Sequence, residues 1–176
     1  MNNPDFHFIG VMSDTHNNRD NTLAALEFFR QRDISIIIHC GDLGQPDLLD
    51  LFTGFEMYLA IGNTDQHPEE LRRRAKQIKP QNQVDYHLQL HLSGKSIWVV
   101  HDLVFQDLSS NASPDFIFHG HTHRPAIKRL SSQTTLINPG TTGGAMRAGV
   151  QTISVLDIIS SHVAFFTVPN GQHFII

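Results

Sequence analysis

The sequence predicts an α/β body: two packed sheets with helices on their outer faces and a functional site along one strand-end edge. Three observations carry this. The first half alternates short β-branched runs with segments of helical period. The second half is a series of short strands separated by Gly, Pro or Ser. Five polar clusters each follow directly on an apolar run: Ser13-Asp14-Thr15-His16, Gly41-Asp42, Gly62-Asn63-Thr64-Asp65, His101 and Gly120-His121-Thr122-His123. Open α/β sheets place their chemistry where strands end.

Taken in order, Phe6 to Met12 reads as a buried strand, and Asn21 to Arg32 as a helix with Leu23, Ala25, Leu26 and Phe29 on one face. Ile34 to Ile38 is a near-continuous β-branched run, the mark of a strand covered on both faces. Pro46 to Phe52 is a short helix with proline near its first turn, Met57 to Ile61 a third strand, and Pro68 opens a further helix through Lys76. That βαβαβα order predicts parallel strands with helical crossovers. Val84, Tyr86, Leu88, Leu90 and Leu92 then alternate with Asp85, His87, Gln89 and His91, as a half-exposed antiparallel strand does. Ser93-Gly94-Lys95 turns it back into Ile97 to Val100. Phe116 to Phe118, Thr134 to Ile137, Thr152 to Asp157, Val163 to Val168 and His173 to Ile176 complete the strands. With no internal repeat, low-complexity tract or linker, residues 1–176 are expected to form a single domain.

Composition excludes several classes. A net charge of −4 gives no strong nucleic-acid signal and no pull toward anionic membranes. No apolar run approaches the ~20 residues that cross a bilayer. Met1 to Asp5 lacks the basic start of a secretory signal, and a single cysteine, Cys40, rules out an intrachain disulfide. A cytoplasmic setting is the expectation.

The clusters together offer aspartate, asparagine and imidazole but no thiolate. That is a ligand set for borderline-hard transition metals, with donors enough for two ions. Read in order, Asp14-x-His16, Gly41-Asp42, Gly62-Asn63-x-Asp65, His101 and Gly120-His121-Thr122-His123, followed by Asn138-Pro139-Gly140, make the chain similar to the calcineurin-like metallophosphoesterases. It most resembles their small single-domain phosphodiesterase branch in bacteria and archaea. Each motif is weak alone; the ordered set, each after a strand, is specific.

The resemblance implies a four-layer αββα sandwich with two mixed sheets, and a two-metal centre that hydrolyses a phosphoester by in-line attack of a metal-activated hydroxide. Carried over by position, Asp14, His16 and His123 hold one ion, Asn63, His101 and His121 hold the other, and Asp42 bridges them. Asp42, Asn63 and His121 are the candidates for direct catalytic participation. Four imidazoles in the ligand set favour Mn²⁺, with Fe, Zn, Ni or Co admissible and Mg²⁺ less so. The implied partner is a small phosphoester, nucleotides among the candidates. The apolar Phe174-Ile175-Ile176 end leaves homo-oligomerisation open. Rival readings are a phosphomonoesterase or nucleotide pyrophosphate hydrolase of the same fold, a mononuclear zinc hydrolase, and a non-catalytic scaffold like one retromer subunit.

The chain departs from the family pattern at Thr64, where many members carry a histidine that assists the leaving group; the diesterase branch commonly lacks it. Asp102 replaces the usual glycine after His101, and Asn17 stands where glycine is frequent. Asn17, Asn18 and Arg19 are candidates to touch substrate phosphate, Asp65 to orient a ligand rather than to be one, and Asp102 to close the groove, relay a proton or reshape its loop. His7, His39, His87, His91, His162 and His173 are expected to be structural or solvated, and Arg72-Arg73-Arg74 to pair with Glu69 and Glu70 along their helix. Cys40 and Phe28-Phe29 are expected in or near the core, and Asn138-Pro139-Gly140 as a turn that buttresses the site.

Overall fold

The computed structural model describes residues 7–105, 113–144 and 149–176. In these the β-branched and aromatic runs form β1 (Phe8–Met12), β2 (Ile36–His39), β3 (Glu56–Ala60), β4 (Gln83–Asp85), β5 (His87–Leu92) and β6 (Lys95–Val100). They continue as β7 (Phe116–Phe118), β8 (Ala126–Arg129), β9 (Thr135–Asn138), β10 (Thr152–Asp157), β11 (His162–Thr167) and β12 (His173–Phe174). Two α-helices, α1 (Arg19–Arg30) and α2 (Pro68–Ile78), and two 3-10 helices, Pro46–Phe52 and Leu103–Phe105, join them. Phe6, expected to open β1, lies outside the described residues.

Both sheets are mixed. The larger runs β12-β11-β10-β1-β2-β3-β4 and the smaller β5-β6-β7-β9-β8. Strands β1, β2 and β3 are parallel, as the alternating first half predicts; β4, expected within an antiparallel strand, instead pairs parallel with β3, and β10 lies antiparallel on β1. In the smaller sheet β6, β7 and β9 are parallel, while β5 and β8 flank them antiparallel.

The period-two geometry of strands divides the apolar side chains between two cores. Ile9, Val11, Ile36 and Ile38 point inward to meet Leu88, Leu90, Ile97 and Val99 of the smaller sheet. Met12, Ile37, Met57 and Leu59 point outward to Leu26 and Phe29 of α1, Phe52 of the 3-10 helix Pro46–Phe52 and Leu71 of α2. Helical cover therefore lies on the outer face of the larger sheet.

Several elements differ from the sequence reading. The alternating run from Val84 to Leu92 is two strands, because the chain leaves the larger sheet at Asp85 and enters the smaller one at His87; the alternation continues across the break. Leu23 is 48% exposed and Thr22 is buried in its place, its hydroxyl donating to Asn18 O at 2.7 Å, so α1 is rotated from the expected phase. Pro46–Phe52 winds as a 3-10 rather than an α-helix. β8 gave no sequence signal because it is an exposed edge strand with no apolar phase. On α2 the pairs are Glu69–Arg72 at 2.6 Å and Glu70 with Arg73 and Arg74 at 2.6 and 2.8 Å, in place of Glu69–Arg73.

Candidate metal centre

The parallel registers align the C-terminal ends of β1, β2 and β3, with Met12 opposite His39 and His39 opposite Leu59. β6 and β7 end beside them in the facing sheet, with Val99 opposite Phe118. The five polar clusters leave from these ends and converge.

Asp14, His16 and His123 form one group with one ligand atom from each within 4.8 Å of the others, and Asp14, Asp42 and His101 form a second on the same criterion. In the first, His16 Nε2 and His123 Nε2 are 3.1 Å apart, and His123 Nε2 is 3.0 Å from Asp14 Oδ1. Around the second, Asn63 Oδ1 lies 3.0 Å from His101 Nε2 and 3.2 Å from His121 Nδ1. Asp42 Oδ2 stands between the groups, 3.4 Å from His101 Nε2 and 3.9 Å from His16 Nε2. Asp14 is close to both sets, so the two halves share more than Asp42 alone.

The donors fit divalent cations. Asp14 is fully buried and neither of its carboxylate oxygens accepts a hydrogen bond, an arrangement that is costly for a carboxylate unless a cation meets it. Cys40 O can only accept, so His101 Nδ1–H donates to it at 2.8 Å and leaves Nε2 as the free lone pair aimed at Asn63 and Asp42. Burial works against the Asp42 carboxylate, yet the His101 imidazole and the Thr64 amide, 2.9 Å from Oδ1, hold it well below the usual range. Burial likewise draws the His101 imidazole down, but Asp42 outweighs it and raises its pKa, while Asp14 raises that of His123.

The local backbone explains why these residues face inward. Asp14, His16, Asp42, His121 and His123 all have positive φ, between 44° and 66°. Non-glycine residues are rare there, and such strain collects at functional sites. Gly41 has φ +97°, and a Cβ on it would lie 2.6 Å from His101 Nδ1. A Cβ on Gly62 would collide with the carboxylate and backbone nitrogen of Asp42.

Surrounding residues tie the loops together. Asp65 accepts three backbone amides, from Gly44 through Oδ1 at 2.8 Å and from Gly62 and Asp42 through Oδ2 at 2.8 and 3.1 Å. Burial, with Asp42 nearby, nevertheless raises its carboxyl pKa. Asn138 Nδ2 donates to Gly120 O at 2.8 Å and Thr122 Oγ1 at 3.0 Å, clamping the His121–His123 loop. The 141–143 segment holds the Asp14 carbonyl through Thr141 Oγ1 and Gly143 N, at 2.9 and 3.0 Å. Asp102 accepts from Val104 N through Oδ1, and its Oδ2 lies 3.7 Å from His121 Nε2.

The structure uses Asn18 differently from the sequence expectation. Its Oδ1 caps α1 at Asn21 N and its Nδ2 donates to Gly143 O at 2.7 Å, so both ends of the amide are committed within the protein. Asn17 Oδ1 accepts from Gln45 N at 2.5 Å, so that oxygen holds the Gly44-Gln45 turn. Arg19 is exposed at the start of α1.

Sequence reasoning passed over three residues. His39, expected to be structural or solvated, is the former: it is fully buried beside the site. Its Nδ1 accepts from Gly41 N at 3.2 Å, which makes Nε2 the donor to Thr15 Oγ1 at 3.1 Å; that hydroxyl in turn donates to Leu43 O at 3.0 Å. Its place before Cys40-Gly41-Asp42 at the end of a buried strand was the available signal. Tyr86 and His87 line a cavity of about 620 Å³ together with Asn63, His101 and His121, and only the break between the sheets, invisible in the alternation, puts them there.

The profile of the calcineurin-like phosphoesterase superfamily domain matches residues 8–161, nearly the whole described structure. The chain belongs to this superfamily. It is accordingly a metal-dependent phosphoesterase, a hydrolase of phosphoric esters. The phosphodiesterase MJ0936 of Methanocaldococcus jannaschii is 27% identical over 154 residues, spanning 85% of this chain and 92% of that protein. A probable metallophosphoesterase of Methanothermobacter thermautotrophicus is 34% identical over 136 residues, 75% of each. The solved structure of an archaeal phosphodiesterase superposes with a TM-score of 0.84 at 25% identity, covering 92% of this chain and 99% of that one. Two mixed sheets with few helices are the architecture shared with that structure. Among the described residues of this calcineurin-like chain, no helix is long and apolar enough to cross a membrane.

Proposed function

We propose that the chain is a phosphodiesterase with a two-metal centre. Asp14, His16 and His123 would hold one ion, Asn63, His101 and His121 the other, with Asp42 shared between them and Mn²⁺ the favoured metal. The observation that carries this is a fully buried Asp14 carboxylate that faces the His123 imidazole and accepts no hydrogen bond, beside an Asp42 oxygen that faces imidazoles of both groups. Bound there, two divalent cations would supply Lewis acidity toward phosphoryl oxygens and lower the pKa of water.

The chain's own residues do the rest. Thr64 N–H holds Oδ1 of Asp42 at 2.9 Å, which leaves Oδ2 facing His101 Nε2 and His16 Nε2. Asp65, His39 and Asn138 hold the three loops in register through backbone bonds, which is positioning of the kind that lowers barriers without chemistry of its own. Thr64 offers no imidazole to a departing alkoxide, so ester groups that leave without a proton are favoured. Asp102 orients His121, and Arg19, exposed with no ion pair among the described residues, adds positive charge toward substrate. The single buried Cys40 suits a reducing cytoplasmic setting.

The test is metal counting with anomalous scattering, joined to turnover of chromogenic diesters and monoesters under added Mn²⁺. Two ions per chain and a preference for diesters are expected. One ion bound by three or four donors would favour a mononuclear centre, and preferential monoester cleavage a phosphomonoesterase. Unchanged hydrolysis in both Asp42→Ala and His121→Ala would return the scaffold reading.

A further inference from the structure

We infer that Tyr86 is a stacking platform for a planar aromatic ester group of the substrate. The inference rests on the phosphodiesterase reading and names the substrate class of that same site. Tyr86 sits between β4 and β5, where the chain passes from one sheet to the other, and the residue is 52% exposed. Tyr86 belongs to neither hydrophobic core. It lines the cavity of about 620 Å³ that also contains Asn63, His101 and His121. A phosphoryl group seated on those three fills a small part of that volume, and what remains has a largely apolar wall that includes Ile61.

The ring is held in place. Its backbone N–H donates to Asp85 Oδ1 at 2.8 Å. The Arg72 guanidinium lies over it at 5.8 Å from the centroid and is itself anchored to Asp85 and to Val84 O, at 3.1 and 3.2 Å. A cation over one face of an aromatic ring fixes that ring and leaves the other face for a π-system. Tyrosine presented in this way, beside a site for phosphate, matches how single-stranded nucleotides are gripped: charge on the phosphate, an aromatic face on the base. The shared chemistry is a flat π-ring carried on a phosphoester, whether nucleobase or simple aryl group. An alkyl ester has no face to offer.

Binding of non-hydrolysable phosphonates to the Mn²⁺-loaded protein, measured by calorimetry, tests this apart from turnover. Native protein should bind phenylphosphonate about tenfold more tightly than methylphosphonate. Tyr86→Ala should bring the two within about twofold, and Tyr86→Phe should keep the preference. A nucleoside 5′-phosphonate that outbinds phenylphosphonate assigns a base to the platform, and equal affinity assigns any aryl group. A native ratio near one, or a preference that survives in Tyr86→Ala, overturns the platform and leaves the diesterase reading intact. Failure of every phosphonate to bind the loaded protein overturns both.

Discussion

Asp65 accepts the backbone N–H of Asp42 through Oδ2 at 3.1 Å, and the same oxygen takes the N–H of Gly62 at 2.8 Å. One buried carboxylate thus locks the loop after β2 to the loop after β3, and each loop carries a proposed ligand.

Asp65→Asn turns one accepting oxygen into a donor that faces backbone N–H groups. The variant should lose about 1–3 kcal/mol of stability in urea unfolding. Its Mn²⁺ affinity should fall by roughly 10–100-fold, as for other groups that orient ligands. Native-like metal titration in a folded Asp65→Asn protein would show that the tie does not position Asp42.

Gly62→Ala tests the closeness of the two loops in the opposite way, by adding matter. The new methyl collides with Asp42. Circular dichroism should stay native, since the position is in a loop, while metal binding and turnover drop more than about tenfold, in line with the sensitivity of catalysis to small misplacements. Full activity in Gly62→Ala would mean that Asp42 has freedom the structure does not show.

His39 is expected to steepen the loss of stability in acid. Burial pushes its pKa down to about 3, so below the ordinary value of 6.5 the unfolded chain takes up a proton that the folded one refuses. Its contribution is fully present above pH 6.5 and is lost as pH falls toward about 3. Between pH 6.5 and 5 the loss should be roughly 2 kcal/mol in metal-free protein. His39→Asn, compared by urea unfolding at both pH values, should flatten that slope; an unchanged slope would assign the acid sensitivity to other groups.

Thr64 is exposed at the rim, and its side chain has room to change. Thr64→His supplies the imidazole that many superfamily members place there. Monoester turnover should rise by about tenfold or more relative to diester turnover, within the range of general acid assistance. A constant monoester-to-diester ratio would refute the idea that this position sets the ester preference.

The sequence made the parallel first half legible because each strand there is a short apolar run with a glycine or aspartate exit and a helical period after it. The site clusters were legible for the same reason: they mark strand ends. What it concealed follows from the physics of alternation. Val84 to Leu92 keeps one apolar phase through a change of sheet, so the break at Tyr86, and with it the wall of the cavity, had no signature. His39 pairs in register with Met12 and Leu59, yet a buried neutral histidine and a solvated one look alike in one sequence. Asn18 looked like a phosphate donor because its two internal partners, Asn21 and Gly143, are brought together only by folding.

His123 leaves the smaller sheet, whereas Asp14 and His16 leave the larger one, so their shared cage exists only after the two sheets have docked. A chain whose sheets have not yet met would offer an ion only part of the proposed donor set, so a chelator-resistant ion in freshly synthesised protein would report that both sheets are in place.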